Sequence, residues 1–256
     1  MKLKYISFVA FAMTLSLSSC YDLNRFPGDQ LSNEKFYRNE EHAKEAMMAV
    51  YNQMQKEDVF GLQFAMDGLG GIAMGYDPQS YQTIQRGTYD VKNGRVLGKW
   101  QNLYEGIARA NGVLQNVDRC QMSDELKVQY KAEAKFMRAL YYFTLMDFFG
   151  GVPLYDESVI VSESYSEMKN KRESIENVRA FILNDLKEAA DKLPEAWDKA
   201  NYGRATKYAA LAQMGKVYLY AKDYQHAKDC FQQVISSGKY ALYDNYADLF
   251  KPGGDE

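Results

Sequence analysis

Six stretches of this chain carry apolar residues at helical spacing, and no comparable run alternates strictly between apolar and polar. That pattern most constrains the fold, because helices that are apolar along one stripe must bury it against other helices. The first stretch is introduced by Asn39 as N-cap, with Glu40 and Glu41 in its first turn and Ala43, Ala46, Met47, Val50 and Met54 on one face. A second runs from about Lys99, with Trp100, Leu103, Tyr104, Ile107, Asn111 and Leu114 in register. A third starts near Ser123 and carries Leu126, Tyr130, Ala134, Met137, Tyr141, Leu145 and Phe148. It stops at Gly150-Gly151, with Pro153 beyond. A fourth carries Ile175, Val178, Ile182, Leu186, Ala189 and Leu193 and ends at Pro194. The last two cover Lys207 to Ala221 and Tyr224 to Ser236, and Val152 to Val161 supplies a short strand at most.

The final pair has a repeat signature. Leu211, Gly215, Tyr218, Ala227 and Phe231 fall at the spacing of a tetratricopeptide unit, with Lys222-Asp223 as the tight turn. Small residues at 215 and 227 let paired helices approach closely. The helices of Trp100 and Phe136 read as degenerate versions of the same layout. One such unit cannot bury its own apolar face, so several should stack, with Trp100, Phe136, Leu211 and Phe231 meeting in one core. The fold class expected is mainly all-α: a scaffold of tetratricopeptide-like helix pairs with long irregular loops. At 256 residues the chain is long enough to bury a sizeable core.

The first twenty residues read as an address. Lys2 and Lys4 precede a largely apolar stretch from Ile6 to Leu17, too short to span a bilayer but suited to a signal sequence. It ends in Leu17-Ser18-Ser19-Cys20, which resembles a bacterial lipobox. Residues 1–19 are the expected signal peptide, with Cys20 the lipidated mature N-terminus and 20–256 the helical domain. Removing Lys2 and Lys4 leaves 29 basic against 34 acidic residues, a net charge of −5. No later segment is apolar enough to cross a membrane, so the body is expected to be tethered through its lipid. Without a basic excess, nucleic acid is not an expected partner. Cys120 and Cys230 are read as two separately buried thiols rather than a disulfide.

Between the first two helices, Phe60 to Gly98 holds eight of the eighteen glycines, together with Asp67, Tyr76, Asp77, Tyr81, Arg86 and Tyr89. It is too long for a plain connector, and such loops often carry function. Aromatic faces stack on the C–H surfaces of sugars, while carboxylates and guanidinium groups bind hydroxyls. Asp67, Tyr76, Tyr81 and Arg86 are the ligand-binding candidates on those grounds. A second loop, 194–206, contains Trp197, Tyr202 and Gly203-Arg204-Ala205-Thr206.

Several stretches resemble the SusD/RagB family of outer-membrane nutrient-uptake lipoproteins of Bacteroidetes. They are Phe36 to Tyr51, Trp100 to Asn111, Glu133 to Pro153 and Gly203 to Ala227, in the expected order and with the lipobox ahead of them. The run from Phe136 through Arg138-Ala139 to Phe149-Gly150 and Val152-Pro153 is the most specific. The resemblance implies a scaffold packed against a more irregular remainder. It also implies a surface lipoprotein that binds glycans or other nutrients and delivers them to a SusC-like TonB-dependent transporter in the outer membrane. Family members are commonly about twice this long, so the chain is expected to represent the N-terminal portion of the family fold. A tetratricopeptide-type scaffold that binds protein, without a ligand site of its own, is the alternative.

An enzyme is not expected. The sequence has no nucleophile elbow, phosphate loop or HExxH, and its acids are too numerous to single out a catalytic pair. His42 and His226 read as surface residues. Two histidines and no Cys-x-x-Cys leave no metal or cofactor site to expect.

Overall fold

The computed structural model describes residues 36–61, 70, 81–159 and 171–250. Chain contacts divide the protein at Phe36 and Tyr37, and the unit from Tyr37 onward carries the fold described below. Among the described residues there are seven α-helices: α1 Glu40–Asn52, α2 Tyr81–Gln85, α3 Gly94–Asn116, α4 Asp124–Phe149, α5 Ile175–Lys192, α6 Lys207–Tyr220 and α7 Tyr224–Ser236.

Helix starts follow short polar caps that satisfy otherwise unpaired N–H groups. The Asn39 side chain accepts from the His42 N–H, Ser123 from Leu126, Ser174 from Asn177, Thr206 from Ala209 and Asp223 from His226. Helix α4 stops where Gly150 turns to φ 72°, a conformation open to glycine. Helix α5 stops where Leu193, held extended before Pro194, leaves helical geometry. Helix α3 begins at Gly94, earlier than the expected start near Lys99. Asn93 caps it by accepting from the N–H groups of Arg95 and Val96. Gly94 and Gly98 hide this turn in the sequence, since glycine argues against helix. A Cβ at Gly98 would collide with the Asp58 carboxylate, so close packing accounts for that glycine.

Helices α3 to α7 pack in chain order, and α1 lies against α3 and α4. Each neighbouring pair is antiparallel wherever contacts set a register. Trp100 meets Phe149, while further along α3 Asn111 meets Arg138. Arg138 pairs with Asp185, and Lys135 with Glu188. Tyr218 stacks on His226, with ring centroids 5.1 Å apart. The repeat reading holds in detail for α6 and α7. A Cβ at Gly215 would lie 2.5 Å from the Phe231 ring, so only glycine admits that aromatic. The same device recurs in α3 and α4, where a Cβ at Gly106 would lie 2.6 Å from Tyr141.

The expected single core is divided differently. Phe136 does join Leu211, in a cluster with Ala132, Ala189, Ala190, Leu193, Ala205, Tyr208 and Ala210. Trp100 sits near the start of α3, away from that cluster and half-buried against Phe149. Phe231 is half-buried rather than enclosed. Replacing Gly215 by alanine should therefore push Phe231 outward, costing about 1–3 kcal/mol by overpacking, read as a lower urea midpoint at unchanged slope.

Residues 152–159 form no strand. They run as a strap whose backbone is held by helix side chains instead of a neighbouring strand. Tyr104 Oη donates to the Pro153 carbonyl at 2.8 Å, and Asn111 Nδ2 to that of Tyr155 at 3.0 Å. Gln115 Nε2 donates to the carbonyls of Glu157 and Val159. Tyr142 Oη accepts from the Tyr155 N–H at 2.7 Å. Cys120 and Cys230 are both free and buried, as expected, and burial pushes both thiols upward, away from the reactive thiolate.

Candidate functional site

Antiparallel pairing brings the start of α3 and the end of α4 to the same end of the helical array, and the returning limb of the glycine-rich segment is tied down there. Asn93 Nδ2 donates to Thr83 Oγ1 at 3.0 Å, linking α2 to the cap of α3. The Arg95 guanidinium lies over the Tyr81 ring, 4.6 Å from its centroid. The same guanidinium donates to Glu57 at 2.9 Å and Asp58 at 3.2 Å, both in the single π turn Glu57–Gly61. These bonds reinforce its charge, the Glu57 bond most strongly.

The neighbouring surface is aromatic. Trp100 packs edge-on against Phe149 at 5.1 Å, and Phe148 is 42% exposed. Lys99 reaches across this end, 4.5 Å from the Phe148 ring centroid, and donates to the Val59 carbonyl at 3.2 Å. Burial lowers its pKa, against the pull of Asp58. Arg172 lies over Trp100 and donates to the carbonyls of Phe149 and Gly151, pinning the exit from α4. Tyr89, on the limb between α2 and α3, is 51% exposed. Partly exposed aromatic rings, fixed guanidinium groups and open backbone suit a flat polyhydroxylated ligand better than a compact ion.

Of the four ligand-binding candidates, Tyr81 and Arg86 fall among the described residues. Tyr81 is half-buried beneath Arg95. Arg86 is exposed and donates to Gln82 Oε1 at 3.1 Å, one helical turn away. Asp67, Tyr76 and the lipidation candidate Cys20 lie outside the described residues. Sequence reasoning passed over Arg95, because its partners Glu57 and Asp58 are distant in the chain. The Asn93 cap is a local signal that puts Arg95 in a first helical turn, but nothing local points to its acidic partners.

Two buried ionic clusters brace the array behind this end. In the first, Arg138 grips Asp185 at 2.7 and 2.9 Å and also donates to Asn111 and Glu157. In the second, Arg204 pairs with Glu133, whose other partner is the Tyr51 hydroxyl at 2.8 Å. The Tyr51 oxygen accepts from the Ala205 N–H at 2.9 Å, and Arg204 stacks on Trp197. Burial pushes the Glu133 and Asp185 carboxyls above the ordinary range, and their arginines work against that push. Both acids are thus occupied in holding helices together.

Glu188 shows the opposite shift. Its bond to Lys135 holds it below the ordinary value of 4.5, so this pair stabilises the fold above that range and loses its effect as pH falls through the lower folded value. Glu188→Gln should flatten the acid limb of a stability–pH curve, with an effect below about 1 kcal/mol because Glu188 is half-exposed.

Among the described residues no helix is long and apolar enough to cross a membrane, and no cluster of metal-ligating side chains occurs. Comparison with known proteins gives the array its relatives. The chain is 26% identical over 254 residues to the SusD-like protein P25 of Formosa agariphila, covering 93% of this chain and 47% of that protein. It is 28% identical over 265 residues to a SusD-like protein of Bacteroides ovatus, covering 98% and 47%. A laminarin-binding SusD-like protein superimposes with a TM-score of 0.75 at 30% identity, over 83% of this chain and 48% of the other. The chain thus spans about half the length of the curated relatives it matches. Residues 28–219 match the model of the SusD-like family, described as starch-binding and associating with the outer membrane, and the chain belongs to that family.

Proposed function

We propose that this chain is the helical domain of a surface lipoprotein that captures glycans, with the end of the array formed by α2, the start of α3 and the end of α4 as its ligand-facing surface. The observation that carries this reading is the family match over residues 28–219. The similar laminarin-binding structure and the aromatic–arginine surface around Tyr81, Tyr89, Arg95 and Phe148 support it further. Residues 1–19 are the signal peptide in this reading, and Cys20 carries the lipid that holds residues 20–256 at the outer membrane. Ligand passes from this domain to a SusC-like TonB-dependent transporter. Asp67, Tyr76, Tyr81 and Arg86 remain the contact candidates on the glycine-rich segment. The role is binding without chemistry.

The test is affinity electrophoresis of the purified chain through gels containing laminarin or starch. Retardation by either glucan is the expected result, and unchanged mobility in both, and across a wider polysaccharide panel, would refute glycan capture by this domain. Membrane fractionation of Cys20→Ser checks the anchor independently. The variant should appear in the soluble fraction, while retention in the membrane pellet would refute lipidation at Cys20.

A further inference from the structure

A surface that takes acidic polysaccharides must offer their uronate or sulfate groups cations that are not already engaged. At the end of the array formed by α2, the start of α3 and the end of α4, the fixed cations are engaged within the protein. The Arg95 guanidinium faces two carboxylates of the π turn, Glu57 at 2.9 Å and Asp58 at 3.2 Å. Lys99, which balances the second of these charges, is buried, donates to the Val59 carbonyl at 3.2 Å and lies over the Phe148 ring. Arg172 donates to the carbonyls of Phe149 and Gly151 at the exit from α4. A helix presents its negative pole there, and a cation is stabilising in that place.

The backbone device that would invite an anion is closed as well. The first N–H groups of a helix bind carboxylate, sulfate and phosphate. At α3 the Asn93 side chain accepts from the N–H groups of Arg95 and Val96, at 3.0 and 3.2 Å. Exposed charges nearby have both signs, with Arg86, Asp90 and Lys92 on the limb leading to α3 and Asp147 in the last turn of α4. In the sequence joining the π turn to α2, residues 62–80 add Asp67 and Asp77 and no lysine or arginine. Aromatic surface and hydrogen-bond acceptors are what this end offers a ligand.

We propose that this end of the array selects uncharged polysaccharides and rejects acidic ones, with Glu57 and Asp58 as the residues that set the selection. It rests on this end being the ligand-facing surface, and it gives the chemical class of the ligand taken there. By holding Arg95, the two acids withhold the cation that a uronate would need. A uronate that displaced one of them would exchange one carboxylate for another and leave an acid of the protein unpaired beside it. The Asp58 side chain is only 18% exposed, so water compensates its charge poorly, and the 64% exposed Glu57 adds repulsion at the surface. An unpaired charge raised against the wrong ligand discriminates as effectively as a new contact to the right one. A neutral glucan meets no such penalty, and its hydroxyls can donate to the outer oxygens of Glu57.

The experiment compares laminarin and starch with the same two glucans oxidised at C6 to uronates, which keeps the linkage and adds charge. Binding to the purified chain is measured by calorimetry at low and high salt, about 0.02 and 0.5 M NaCl. The neutral glucan should bind with affinity constant to within about two-fold across that range, because no ion pair forms with it. Its oxidised form should bind at least about ten-fold more weakly at low salt, and the difference should shrink at high salt as repulsion is screened. Glu57→Gln combined with Asp58→Asn leaves Arg95 its hydrogen-bond acceptors without their charge. In that variant, at unchanged helical circular dichroism, the difference should narrow by at least about three-fold. Salt dependence of the wild-type chain decides the question without the variant. An oxidised glucan bound as tightly as its neutral parent would overturn the selection and leave glycan capture standing. So would a difference that persists unaltered at high salt or in the folded double variant. Binding of none of the four polymers would remove glycan capture itself, and the selection with it.

Discussion

Replacing Asp185 by alanine is expected to destabilise the protein by about 3–5 kcal/mol, because it leaves the Arg138 guanidinium buried without its two-point partner. Both side chains are 2% exposed, so water cannot take the place of the carboxylate. The remaining partners Asn111 and Glu157 each receive one bond from the same Nη1, leaving Nε and Nη2 unsatisfied. The loss should therefore be larger than that of the half-exposed Lys135–Glu188 pair one turn away. A double variant, Arg138→Met with Asp185→Leu, should recover much of the loss, since removing both charges removes the unpaired one. Urea denaturation of the two variants checks this. Equal losses for the single and double variants would show that the ion pair is not the cause.

Arg204→Ala should cost a similar amount, about 3–5 kcal/mol at neutral pH, and its cost should depend on pH. Glu133 is fully buried and would keep the Tyr51 hydroxyl as its one remaining partner. Its carboxyl is already pushed upward by burial, and losing Arg204 removes the largest opposing influence. A carboxyl whose folded pKa is raised binds its proton more tightly in the folded state. Its contribution is therefore most favourable at low pH and is lost as pH rises through the folded value. The stability gap between wild type and Arg204→Ala should narrow from pH 8 to pH 5. A gap that stays constant on acidification would mean Glu133 stays ionised without its arginine, and would contradict this expectation. The variant should also free the 194–206 connection, since Arg204 stacks on Trp197 and Tyr51 bonds the Ala205 N–H.

Local features of this fold were legible because they are written in adjacent residues. Asn39 caps the helix it was expected to cap, α4 starts beside Ser123 as expected, and Gly150 ends it. Gly215 and Phe231, read only as repeat positions, turn out to be in direct contact. What escaped the sequence depends on partners far along the chain. Asn111 reads as one polar residue on an apolar helix face, yet it binds both Arg138 and the Tyr155 carbonyl. Arg138 and Asp185 are 47 residues apart, and nothing local marks them as a pair. The strap at 152–159 reads as a possible strand because Val152 and its neighbours are apolar. Its partners are the helix side chains Tyr104, Asn111 and Gln115, and side-chain ladders leave no alternating pattern. At the candidate surface, glycine-rich sequence pointed to the segment that carries Tyr81 and Arg86. Arg95 became visible only when Glu57 and Asp58 were seen beside it.

Glycan capture by this domain is tested by a hydrogen-exchange footprint of the chain with and without a saturating glucan oligosaccharide, such as laminarihexaose or maltoheptaose. Glycan capture by the end of the array predicts slowed exchange in residues 81–100 and 148–151, and at least ten-fold weaker binding for Tyr81→Ala combined with Arg95→Ala. Protection confined to residues 171–250, with affinity unchanged in that double variant, would contradict it.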